Sequence, residues 1–112
     1  MTGTIVVRTG VSTDLRTVDF EWVVCELRAR VNDVNRVAMT SVLEPYDEHS
    51  ADMLVADGLD TKGLRQFSDE LANLVFALKS SHGQGGLVSF LEGLQAMIRA
   101  DPRLEYQSQL PP

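Results

Sequence analysis

The stretch from Thr17 to Leu43, TVDFEWVVCELRARVNDVNRVAMTSVL, decides the fold, because it satisfies two templates at once. Read as strand, Cys25 to Val31 alternates apolar and polar positions without a break, and Val18 to Trp22 alternates too; the phase slips once at Val23-Val24, as a β-bulge would make it. Read as helix, Phe20, Val24, Leu27, Val31, Val34, Ala38 and Val42 recur in a four-three rhythm along one long rod. Three features favour strands: the abundance of valine and threonine, the polar turn candidate Asn32-Asp33, and a helical wheel that would set a second apolar stripe, Val18, Trp22, Cys25 and Ala29, opposite the first.

On the strand reading the sheet comprises about Thr4 to Arg8, Thr17 to Val31 and Arg36 to Leu43, with Pro45 halting the third strand. Residues 51–56 form either a fourth short strand ending at the turn Asp57-Gly58 or a two-turn helix capped by Gly58, and the helix is favoured. The second half is plainer. Leu64, Phe67, Leu71, Leu74, Val75 and Leu78 share one helical face while Arg65, Asp69, Glu70, Asn73 and Lys79 lie off it, which predicts an amphipathic helix over about 62–80. Asp60 or Thr61 can cap its start, and Ser80-Ser81-His82-Gly83 supplies a stop. Leu87, Phe90, Leu91, Leu94, Met97 and Ile98 mark a second helix over about 87–100, ended by Pro102. The fold expected is α+β, an N-terminal antiparallel sheet of three or four strands packed against a C-terminal antiparallel helix pair; the rival is an all-α bundle built on one long N-terminal helix. The 112 residues read as a single domain, strand-rich over 1–57 and helical over 60–101, with a loose tail at 107–112.

With 44% hydrophobic and 23% charged residues, the chain can build a core. Ten basic side chains stand against sixteen acidic ones, a formal net charge of −6. The basic residues are scattered, so nothing supplies the basic patch that phosphate contacts require, and nucleic acid is not an expected partner. No run approaches the length of a membrane span, and the single cysteine, Cys25, has no internal partner for a disulfide, so a reducing, cytoplasmic setting is expected.

Reactive side chains form no motif. Glu48, His49 and Asp52 would share a surface if their segment were helical, making them weak candidates for a divalent metal, although acidic residues near a helix start also suit its dipole. The string His82-Gly83-Gln84-Gly85-Gly86 precedes a helix, and glycine there lets backbone amides face an anion; His82, Gln84, Gly85 and Gly86 are therefore binding candidates. The lysine of a phosphate loop is missing, and the preceding helix speaks against a dinucleotide fingerprint, so the string reads first as an interhelical hinge and no cofactor is expected. Cys25 reads as a small buried hydrophobe rather than a nucleophile. Trp22, the sole tryptophan, fits the core, an interface anchor, or a pocket wall shared with Phe67 and Phe90.

The function these features favour is a noncatalytic protein-interaction or self-assembly module. The alternative is a small-molecule-binding domain whose apolar pocket takes cationic or amphipathic ligands. A two-fold homodimer is expected, because an open sheet leaves strand edges to protect and a helix apolar on both sides would need a cover.

Overall fold

The computed structural model describes residues 2–80 and 85–104. Two strands come first: β1 (Thr2–Arg8) and β2 (Val11–Arg16) pair antiparallel around Gly10, whose φ of 84° lies in the left-handed region that favours glycine. Gly3, Ile5 and Val7 point to the buried face, and Leu15 joins them from β2. A bulge interrupts the pairing between Val6 and Arg8.

The deciding stretch is helical. α1 (Thr17–Ala29) and α2 (Arg36–His49) replace the strands expected at 17–31 and 36–43. What α1 buries is Phe20, Val23, Val24 and Leu27, positions i, i+3, i+4 and i+7 of one helical face. The phase slip at Val23-Val24 that mimicked a bulge is therefore the mark of that face. The rod of the all-helical rival is broken as well. Asn32 Oδ1 accepts from the Val34 and Asn35 amides, while Asn35, itself buried, accepts from the Asn32 amide and donates through Nδ2 to the Arg30 carbonyl. This corner turns the chain between α1 and α2, as the pair Asn32-Asp33 suggested.

Pro45 does not end the segment but sits inside α2. Its missing N–H deprives only the exposed Ser41 carbonyl turn of a bond, which water can replace. Residues 51–56, expected to be helical, hold β3 (Met53–Val55), which lies parallel to β1. The result is a mixed three-stranded sheet in the order β2-β1-β3 rather than an antiparallel one. The α+β class stands: the strand expected at Thr4 to Arg8 is β1, while the other two strands come from residues 11–16 and 53–55 rather than from 17–43.

The C-terminal half follows its pattern: α3 (Thr61–Ser80) and α4 (Gly85–Arg99) pack as a pair, with Lys79 and Glu92 bridging at 3.2 Å. Asp60 caps α3, its Oδ1 accepting from the Gly63 amide at 2.7 Å. α1 lies on β1 and β2, while α2 touches both β3 and α3 and so ties the sheet to the helix pair. Phe20, Met39, Leu54, Phe67, Leu71 and Leu91 meet in one continuous core.

Candidate interaction surfaces

α1 carries the expected second stripe. Val18, Trp22, Cys25 and Ala29 lie opposite its buried face; Val18 is 76% exposed, Ala29 is exposed, Cys25 is exposed rather than buried as expected because it falls on this outer side, and Trp22 rests half-buried against the core. Their spacing of four, three and four residues is that of a coiled-coil seam. Arg28, on the rim, is held by Asp47 and lies 5.9 Å from the centre of the Tyr46 ring, which in turn meets Phe20. Arg16 pairs with Asp19 at 3.0 Å. Glu21 and Glu26, one on each side of the stripe, make no ion pair among the described residues.

A second apolar feature is a groove of about 430 Å³ between the starts of α2 and α3, lined by Val34, Val37, Ala38, Ser41, Leu59 and Gln66. Val34 and Val37 are 79% and 87% exposed, and Gln66 Nε2 donates to the Val34 carbonyl. Its charges are mixed: Lys62 and Asp60 both line it, and Arg36 is paired with Asp33. A third hollow of similar size, about 430 Å³, lies between β2, the start of α1 and the start of α4, where Asp14, Arg16, Leu87 and Phe90 meet.

The expected pocket residues are dispersed by this geometry. Phe67 is fully buried in the core, Phe90 lines the third hollow, and Trp22 stands on the outer side of α1. His82 and Gln84 lie outside the described residues; Gly85 begins α4, and Gly86 is exposed with open space around it. Glu48 and His49 end α2 and Asp52 precedes β3, all exposed; His49 Nε2 stands 3.9 Å from Glu44. Among the described residues no three His, Cys, Asp or Glu side chains gather as a metal site. Nor is any described helix long and apolar enough to cross a membrane.

The most elaborate polar cluster went unforeseen. Arg103 donates to the carbonyls of Val7, Ala56 and Leu59 at 2.9, 2.9 and 2.6 Å, and to Asp101 through Nε and Nη2 at 2.8 Å each. Asp101 is almost fully buried, and the Arg103 hydrogen bonds hold its carboxyl below the ordinary range against the opposing effect of burial. Asp101 in return raises the Arg103 guanidinium. Every strong contact of this fork is internal, so it fastens the end of α4 to the sheet rather than presenting a site.

No protein-family model and no curated protein sequence matches the chain. A solved structure does: a chain of the complex described as "CdiA-CT toxin from Burkholderia pseudomallei E479 in complex with cognate CdiI immunity protein" superposes with a TM-score of 0.85 at 20% identity, covering 91% of this chain and 98% of that one. At that identity the likeness establishes a shared α+β fold.

Proposed function

We propose that this chain is a small protein-binding module that acts by forming a stoichiometric complex with another protein, in the manner of an immunity partner holding its cognate toxin. The observation that carries the reading is the near full-length match to a chain of a toxin–immunity complex. The net charge of −6 supports the immunity side, since an acidic domain attracts a basic partner and speeds their encounter. The test is to purify the tagged chain from its own host under mild conditions and weigh it by native mass spectrometry. A one-to-one complex with a second protein is expected; a bare 12.4 kDa chain would contradict the reading.

Small-molecule binding is a second reading, supported by the groove beside Val34 and Val37, whose volume of about 430 Å³ falls within the range of ligand sites. A ligand there should raise the melting temperature, and Ser41→Trp, at an exposed position lining the groove, should abolish the rise. Self-association keeps its sheet-edge motive only at the short edge strands β2 and β3, because the long strand expected at 17–31 is the helix α1. Its other motive, a helix apolar on two sides, remains.

A further inference from the structure

The geometry points to the outer face of α1 as the docking surface, and to its occupant as an amphipathic helix of a partner protein, apolar along one side and basic along its margins. This rests on the protein-binding reading and names the surface that does the binding. Val18, Trp22, Cys25 and Ala29 form a seam with the spacing that a facing helix reads, and its central tryptophan is already seated against the core, so little side-chain freedom is left to lose on binding. Tryptophan is also the residue type that most often anchors an interface.

Charge selects the occupant. The Arg16–Asp19 and Arg28–Asp47 pairs cancel locally, and Glu21 and Glu26 flank the seam along its length, with Arg30 one turn beyond Glu26 at the C-cap of α1. Basic residues at the margins of an incoming helix would answer both. A second copy of this chain would instead bring both pairs of carboxylates to one seam, on molecules that each carry a net −6. The groove beside Val34 and Val37 has no such bias, because its neighbouring charges are balanced.

The probe is a synthetic peptide of about fourteen residues, some four helical turns, with leucine at seam spacing and lysine elsewhere, beside a twin in which glutamate replaces lysine. Trp22 is the sole tryptophan, so its emission and its quenching by acrylamide report on this face directly. The lysine peptide should bind saturably, shift the emission to the blue and shield Trp22. Glu21→Lys with Glu26→Lys should weaken binding at least about tenfold, and Val18→Asp should do the same. Aspartate in the first turn suits the helix dipole, so that variant should keep its fold, with an unchanged far-ultraviolet circular dichroism spectrum as the check. Glu44→Lys with Glu48→Lys, on exposed positions of α2, should leave binding unchanged and so separates this face from general acidity. Equal binding of the glutamate peptide, or indifference to the α1 substitutions, overturns the proposal. So does a free protein that is already dimeric with Trp22 shielded, which would make a second copy the occupant. If a complex isolated from the host survives Val18→Asp and the double reversal, this surface is wrong while the protein-binding reading stands; if no complex exists, the reading itself fails.

Discussion

The Arg103 guanidinium donates to the Val7 carbonyl at 2.9 Å, so a side chain just beyond α4 satisfies a backbone oxygen of β1 that lies 96 positions earlier. The same fork satisfies Ala56 and Leu59 beyond β3 and neutralises Asp101, whose side chain is 1% exposed. Removing it would orphan these acceptors together. Arg103→Ala should therefore cost roughly 3 kcal/mol, lowering the melting temperature by roughly 10 °C. Arg103→Lys should recover only part of this, since one ammonium cannot span a carboxylate and three carbonyls. A calorimetric scan showing full stability in the alanine variant would refute this role.

Acid should loosen the same fastening. The Asp101 carboxyl is held below its ordinary value of 3.8, first by its hydrogen bonds from Arg103, so it favours the folded state only while ionised. That contribution is complete above pH 3.8 and is lost as the pH falls through the lower folded value. Asp101→Asn should be less stable than the native chain at neutral pH, and the gap should narrow below about pH 4 as the native carboxyl takes up its proton. Melting curves for the two proteins that stay parallel into strong acid would rule this out.

Gly3 is where α1 meets the sheet. A Cβ on Gly3 would run into the ring of the fully buried Phe20, so the ring would have to shift. Gly3→Ala should cost roughly 1–3 kcal/mol. Combining it with Phe20→Leu should cost less than the sum of the two single changes, because the smaller side chain makes room for the new methyl group. Simple additivity in urea melts would mean that the two positions do not press on each other.

The helix pair was legible because Leu64, Phe67, Leu71, Leu74, Val75 and Leu78 leave only one way to bury a face. The first half was not, because α1 is apolar on both sides, and a helix of that kind also alternates like a strand. β2 was hidden by its polar outward positions, Ser12, Asp14 and Arg16, although Val11, Thr13 and Leu15 alternate with them. β3 is three residues long, too short to declare a period. Trp22 could be singled out as an interface candidate by its rarity, and the second stripe was visible on the wheel, although there it counted against the helix it belongs to. Arg103 left no trace in the sequence, since the oxygens it reads are backbone atoms brought close only by folding.

The central claim, that the outer face of α1 stands open in the free chain and closes against another protein, is tested most directly by the single thiol at its middle. Cys25 is exposed, so a thiol reagent should label it in the native free chain within about tenfold of the rate in the unfolded chain. In the complex isolated from the host, the same thiol should react at least about tenfold more slowly than in the free chain. Equal rates in the two states, or a thiol already protected in the free monomer, would contradict the account.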